Sequence, residues 1–297
     1  EPTAQINTHW VAKARIDYRT DMNTSRNSTN HSSDENGDDA WSYYSAADMT
    51  LDRAWVEGTY GNTVIRLGKL PYKTIADNGL FMEQNVSGGQ VTFGKDIKAT
   101  LTAGRVANTW YGTSSGYAYN YHGLEVYNDR QQRFNWGIGY HHLMSDRMNL
   151  PVFFYGHSDA RIVTAGMGYH FSPTLALQGA LAWNTLACQS RTDDYRRTSY
   201  RLQLDYKHVD PAEPHSFGIY AAWARYGDEA TKMQNVENSM MPEGTVWGRG
   251  LCGWEVGGSY ALDKNIVGSL AYSSYDATNH VNGTKYRMLF ARVACFF

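Results

Sequence analysis

Hydrophobic and polar residues alternate along most of this chain, in runs separated by turn-forming segments. In the run from Trp10 to Tyr18, the even positions are tryptophan, alanine, isoleucine or tyrosine, whereas Lys13, Arg15 and Asp17 lie at odd positions. A period of two is that of a β-strand, whose successive side chains point to opposite faces. The run from Tyr200 to Lys207 repeats the pattern. Each run therefore predicts a strand with one apolar and one polar face.

The connections between these runs alternate in length, which a soluble β-sandwich has no reason to do. Short periplasmic turns and long external loops are typical of outer-membrane barrels. Short turns are predicted at 60–62, 95–96, 128–133, 172–174, 208–215 and 263–265, and long loops at 20–41, 71–88, 106–116, 142–159, 185–197, 227–249 and 276–284. These connections predict one domain over residues 1–297, an all-β transmembrane antiparallel barrel of fourteen strands with both termini periplasmic. Sixteen strands result if short apolar pieces within the loops, such as 151–155, form another hairpin.

Composition narrows the class of protein further. The mean hydropathy is -0.53, and the chain lacks the run of ~20 apolar residues that a membrane-spanning helix needs. Aromatic residues are 14% of the chain, which suits strands that end in aromatic girdles at a membrane surface. The net charge is -2 with scattered basic residues, so nucleic-acid binding is not expected. The cysteines Cys188, Cys252 and Cys295 lack metal-ligand spacing, and we expect free thiols, no metal site and no cofactor.

A barrel of fourteen or more strands leaves an aqueous lumen, so diffusion of small hydrophilic solutes and ions is the expected function. Strand parity places a set of charged residues inside, with a basic excess. The predicted pore-lining residues are Lys13, Arg15, Asp17, Arg19, Arg66, Lys98, Arg201, Asp205, Lys207, Glu255 and Arg292. Charged residues in a pore set its ion preference, so a mild anion preference is one interpretation. The alternative is that these charges merely pair with one another.

The connection from Val106 to Tyr119 is the candidate constriction loop. It follows the fifth predicted strand and contains Asn108, Trp110 and Tyr111 before a glycine-containing stretch that permits a tight fold-back. The alternative is an ordinary exposed loop.

Two other functions are alternatives to a porin. One is a structural outer-membrane anchor with a narrow or plugged pore. The other is an external-loop hydrolase, for which His141–His142, His157–Asp159 and Asp38–Asp39 are the candidate groups. None of these has the spacing of a nucleophile elbow or a helical metal motif, so no enzymatic activity is expected.

Two segments resemble known outer-membrane proteins. The run Arg287 to Phe297 resembles the closing strand whose terminal aromatic residue is read by the barrel-assembly machinery. The segments Arg53 to Gly58, Tyr60 to Asn62 and Val64 to Tyr72 resemble the second and third strands of the OmpM-type porins of diderm Firmicutes. The resemblance implies a homotrimer in outer-membrane lipid that conducts small nutrients. Full-length relatives also carry an S-layer-homology domain that tethers the membrane to the cell wall, and we expect that tether to lie outside these residues.

Overall fold

The computed structural model describes residues 2–19, 48–107, 118–129, 132–145, 159–186, 197–227, 230–231, 250–278 and 285–296. These residues form fifteen strands: β1 Thr3–Gln5, β2 Trp10–Arg19, β3 Asp48–Tyr60, β4 Thr63–Lys73, β5 Glu83–Gly94, β6 Ile97–Ala107, β7 Ala118–Asn128, β8 Phe134–Ser145, β9 Asp159–Ser172, β10 Leu175–Asn184, β11 Thr198–Lys207, β12 Phe217–Tyr226, β13 Leu251–Asp263, β14 Ile266–Ala277 and β15 Lys285–Cys295. Within the described ranges, no helix has the length and apolar character needed to cross a membrane.

All fifteen strands belong to one antiparallel sheet in which each strand pairs with the next along the chain. The predicted all-β class is confirmed, and β2 to β15 correspond to the fourteen predicted strands. The short strand β1 was not predicted; it folds back on β2 with Thr3 opposite Lys13. Among the described residues, the sheet order runs from β1 to β15 without a pairing that joins its two ends.

The prediction was wrong about one connection. Residues 71–88 were expected to form a long external loop, but β4 continues to Lys73 and β5 begins at Glu83. Only residues 74–82 connect the two strands, because the alternation of Leu70 and Tyr72 continues past Pro71 on the same buried face. The proline is tolerated although it lies opposite Asn85 in the ladder.

The register gives the sheet two chemically different faces, since residues directly opposite in an antiparallel ladder share a face. Leu202 lies opposite Gly179 and Trp223, whereas its neighbour Gln203 lies opposite Gln178 and Ala222. We call the face of Gln203 the lumen face and the face of Leu202 the outer face. Most of the exposed large hydrophobic residues lie on the outer face, among them Ile16, Leu67, Leu101, Leu124, Ile138, Met167, Leu181, Leu202, Ile219, Val256, Leu270 and Leu289.

Many of the exposed aromatic residues on the outer face lie at the ends of the strands beside the short turns. Trp10 donates a hydrogen bond through Nε1 to the Tyr60 hydroxyl at 2.7 Å. The turn after Tyr60 contains Gly61 at φ 59, a conformation that glycine adopts without strain. Further exposed aromatic residues at this end are Phe93, Phe134, Phe171, Tyr206 and Tyr260. An aromatic belt beside an apolar band is the outer surface expected of a membrane barrel.

The two faces predict opposite effects of one charge at adjacent positions. Leu202 is the fifth residue of the ten-residue strand β11. Leu202→Lys should destabilise the folded protein by roughly 2 to 4 kcal/mol, the cost of lysine near the middle of a bilayer. Gln203→Lys should cost less, because its amine stays on the polar face and replaces the amide that donates to Asp205, although Arg201 loses one of its three acceptors. Urea unfolding in lipid vesicles measures both, and equal tolerance of the two variants contradicts the assignment of the faces.

Candidate pore constriction

Residues 74–82, the inward segment, fold onto the lumen face as a compact turn. The Gly79 amide donates to the Thr74 carbonyl at 2.8 Å, and the Thr74 amide donates to the Met82 carbonyl at 3.0 Å. Asn78 and Gly79 have φ values of 57 and 81, the left-handed region that asparagine and glycine favour. The Asp77-Asn78-Gly79 sequence therefore reverses the chain locally.

Asp77 stabilises this reversal from within. Its Oδ1 accepts the Gly79 amide at 3.2 Å and its Oδ2 accepts the Phe81 amide at 2.7 Å. Burial raises the pKa of Asp77 to about 6, although these hydrogen bonds favour the carboxylate. Because the folded pKa lies above the ordinary value of 3.8, the folded segment is favoured as the pH falls through about 6.

Glu125 of β7 anchors the segment to the sheet. Its Oε1 accepts the backbone amides of Ile75 at 2.6 Å and Ala76 at 2.8 Å. Its Oε2 accepts the Tyr72 hydroxyl at 3.0 Å. Glu125 is only 1% exposed, so these three donors replace the water that the carboxylate loses on burial. Sequence reasoning missed this residue, although its strand parity places it on the lumen face.

A chain of buried hydrogen bonds continues from Glu125 across three further strands. The Tyr72 hydroxyl lies 2.8 Å from the Tyr121 hydroxyl, which lies 2.7 Å from His141 Nδ1. His141 Nε2 lies 3.0 Å from Thr164 Oγ1. These contacts link β4, β7, β8 and β9 beneath the segment. Side-chain hydrogen bonds therefore stabilise the part of the sheet on which the segment lies.

Two glycines leave room for the segment against the wall. A Cβ at Gly166 would lie 2.1 Å from the Ala76 carbonyl oxygen, and a Cβ at Gly137 would lie 2.8 Å from the Ala76 Cα. Both distances are too short for any side chain. The glycines of β8 and β9 therefore allow the backbone of the segment to lie directly on the sheet.

The end of the segment packs into an apolar cluster on the lumen face. Leu80, Phe81 and Met82 are buried, and the Phe81 ring lies 5.0 Å from the His141 ring. Their partners come from strands between β4 and β14: Tyr72, Val86, Val106, Tyr119, Tyr121, Leu143, Ala160, Ile162, Ala182, Ala224, Tyr226, Leu251 and Tyr275. Apolar packing on this face narrows the space enclosed by the sheet.

A polar cavity of about 330 Å³ lies beside the segment. Its lining includes Ala76 to Leu80 on one side and residues of β7 to β13 on the other, among them Gln178, Arg201, Gln203, Tyr220 and Glu255. Residues from distant strands line one cavity because the sheet curves around it. The inward segment therefore faces the opposite wall across a small polar space.

The register places most of the predicted pore residues on the lumen face: Lys13, Arg15, Arg66, Lys98, Arg201, Asp205, Glu255 and Arg292. Lys13 and Arg66 both bind Glu57, at 3.0 and 2.6 Å, and Arg15 lies 3.8 Å from Asp52. Asp52 is the extra residue where the register shifts opposite Arg15 and Ile16. Asp17 and Arg19 belong to β2, but their side chains lie outside the described part of the structure.

A second charged network lies on the opposite wall. The guanidinium of Arg201 donates to Glu255 Oε1, the Tyr226 hydroxyl and Gln203 Oε1, each at 2.9 Å. Glu255 also accepts the Tyr275 hydroxyl at 3.1 Å. Asp205 accepts the amide groups of Gln203 at 2.6 Å and Gln178 at 3.0 Å. The structure thus brings Arg201, Asp205 and Glu255 together.

The other three predicted basic residues lie toward the ends of strands beside the short turns. Lys98 is opposite Tyr127 and Gly94, and Arg292 is opposite Ser269. Lys207 was predicted to line the pore, but at φ 55 its amine lies over the outer-face rings of Phe217 and Tyr206, 4.5 and 5.7 Å from their centres. None of the three lines the cavity beside the inward segment.

The other predicted sites have mixed outcomes. The proposed constriction residues Asn108, Trp110 and Tyr111 lie outside the described residues, as do His157, Asp38 and Asp39. His142 contacts Asp159 on the outer face. Cys252 and Cys295 are free thiols, and Cys188 is not described. Within the described ranges, no group of three or more metal-ligating side chains comes together.

Loss of the Glu125 carboxylate should release the inward segment. Glu125→Ala leaves the Ile75 and Ala76 amides without an acceptor, at roughly 1 to 3 kcal/mol for each buried group. Chymotrypsin should then cleave the folded protein after Phe81, a site that is fully buried. Glu57→Ala is the matched control, because Glu57 binds only side chains on the same face, those of Lys13 and Arg66. Protection of Phe81 in Glu125→Ala contradicts the anchoring role.

A larger side chain at Gly166 should also release the inward segment, because it would collide with the backbone of the segment. Gly166→Ala places a methyl group 2.1 Å from the Ala76 carbonyl and should expose the same cleavage site. Gly179→Ala is the control on the neighbouring strand, where the nearest atoms lie 3.9 Å away at ordinary contact distance. If both variants resist cleavage equally, the segment does not rest on Gly166.

Comparisons with known proteins bear on the fold alone. No protein-family model and no curated protein matches the chain. A mutant of the Rh. blastica porin matches with a TM-score of 0.54 at 10% identity, over 99% of this chain and 88% of that one. The high-pH structure of Pseudomonas putida OprB matches with a TM-score of 0.54 at 11% identity, over 84% of this chain and 73% of that one. The chain therefore has the fold of bacterial porins.

Proposed function

We propose that this chain is an outer-membrane porin through which small hydrophilic solutes and ions diffuse passively. The observation that carries the proposal is the inward segment, which is fixed to the polar face of a curved sheet and leaves a polar cavity beside it. A sheet of fourteen long strands encloses more space than its side chains fill. A segment held inside such a sheet sets the width of the remaining pathway.

The predicted lumen residues line this pathway in the proposal. Lys13, Arg66 and Arg201 have carboxylate partners within 3.0 Å, so their charges are largely compensated. Because these three charges are compensated, a strong anion preference is not expected at the level of these residues. An anion would have to compete with a carboxylate that is already in place. Lys98 and Arg292 then line the end of the pathway near the short turns.

The membrane and the assembly belong to the same proposal. The apolar outer face and its aromatic belt fit the lipid of a bacterial outer membrane, with the short turns and both termini on the periplasmic side. The resemblance of residues 53–72 to OmpM-type porins supports a homotrimer. In that case a tether to the cell wall resides in other parts of the full-length protein.

One observation favours a second candidate, a structural anchor with a narrow or plugged pore. The apolar cluster joins Leu80, Phe81 and Met82 to the lumen face of strands from β4 to β14. Porin interiors are usually polar, so apolar packing on this scale favours a restricted passage.

Planar-bilayer recordings separate the two candidates. The purified chain in lipid should produce stepwise current if the pathway beside the inward segment is open. Glu125→Ala should raise the step size, because it frees the segment, whereas Glu57→Ala should leave the segment in place. A silent wild type with a conducting Glu125→Ala variant establishes the plugged anchor. If the wild type and Glu125→Ala are both silent in protein shown to be folded in the bilayer, the chain is not a diffusion pore.

A further inference from the structure

The cavity beside the inward segment is of the right size to hold a solute rather than only water. Its volume of about 330 Å³ corresponds to about ten water molecules at liquid density. A molecule of the size of one sugar ring fits in this space. The polar and charged groups of the lining then decide which solutes bind in the cavity.

The charged groups around the cavity have protein partners, including the half-exposed Lys73, whose amine lies 3.5 Å from the Glu83 carboxylate. Asp77 is 1% exposed, and its two oxygens accept the Gly79 and Phe81 amides. The Arg201 guanidinium donates to three protein acceptors, one of which is the Glu255 carboxylate. An ion that enters loses part of its hydration and has to compete with these protein partners for a counter-charge.

Neutral hydrogen-bonding groups retain capacity for a solute. Gln178 accepts from Asn78 at 3.2 Å and donates to Asp205, while Gln203 accepts from Arg201 and donates to Asp205. A primary amide has two N–H groups and two lone pairs, so each glutamine still has one of each for another partner. Both side chains line the cavity, together with the phenol rings of Tyr127 and Tyr220.

We propose that this cavity binds an uncharged, polyhydroxylated solute of about one sugar ring, in preference to anions or cations of the same size. The inference rests on the proposed function and names the solute class of that pathway. Hydroxyl groups exchange hydrogen bonds with water for hydrogen bonds with Gln178 and Gln203 at little cost, because both partners are neutral. The rival is a cation site, since the Asp205 carboxylate lies just behind the two glutamines and its described partners are their amides.

The experiment compares three radiolabelled probes of one size in proteoliposomes: glucose, glucuronate and glucosamine. Glucose should enter several-fold faster than either charged probe. Gln178→Leu should remove most of that advantage, because it keeps the bulk and deletes the amide. Ser269→Ala is the control; it removes a lumen-face hydrogen bond to Ser259 at 2.8 Å outside the cavity and should preserve the advantage.

The outcomes separate this inference from the proposed function. Equal entry of the three probes, or fastest entry of glucosamine, overturns the neutral-solute site while the pore itself stands; the second result assigns the filter to Asp205. An advantage of glucose that survives Gln178→Leu also overturns the site. Entry of no probe into vesicles that contain folded protein overturns the proposed function, and the inference with it.

Discussion

The constraint on which the whole structure depends is the period of two along each strand. A shift of one residue in the pairing of β3 with β4, for example, would bring Arg66 or Glu57 to the outer face and Leu67 to the lumen face. Because every strand carries this penalty against slippage, the two faces are maintained from β2 to β15, even across the register shifts between β2 and β3, β9 and β10, and β13 and β14. The charged groups around Glu57 and Glu255 are thereby brought to one face, where they compensate one another.

The inward segment follows from that register. Tyr72, Glu125 and His141 are far apart in the chain, yet the pairing of β7 with β8 and the curvature of the sheet bring them within hydrogen-bonding reach. Buried polar groups of this kind are costly unless all are satisfied. Here the segment itself supplies the last two donors, the Ile75 and Ala76 amides. The wall and the segment therefore depend on each other, and the packing of Leu80, Phe81 and Met82 adds apolar contacts to this polar anchor.

The charged residues on the lumen face largely compensate one another. A count of lumen residues gives a basic excess, but Lys13 and Arg66 share Glu57, and Arg201 is held by Glu255. The potential that a passing solute meets depends on these pairs rather than on the count. Around the cavity, the amides of Gln178 and Gln203 retain hydrogen-bonding capacity, and the proposed selection of neutral solutes depends on this capacity rather than on net charge.

The sequence by itself determined the all-β class, the fourteen long strands and the face of each strand, because these depend on a local period and on turn residues. It also predicted which charged residues share a face. It did not predict β1, whose three residues carry too short a pattern, and it extended one loop over Pro71 to Gly88, where strands continue instead. The partners of each charge and the anchoring by Glu125 were decided only by the tertiary structure. Nothing local in the sequence around Glu125 shows that two backbone amides fifty and forty-nine residues earlier will approach it; that proximity arises from sheet curvature, which is a property of all the strands together.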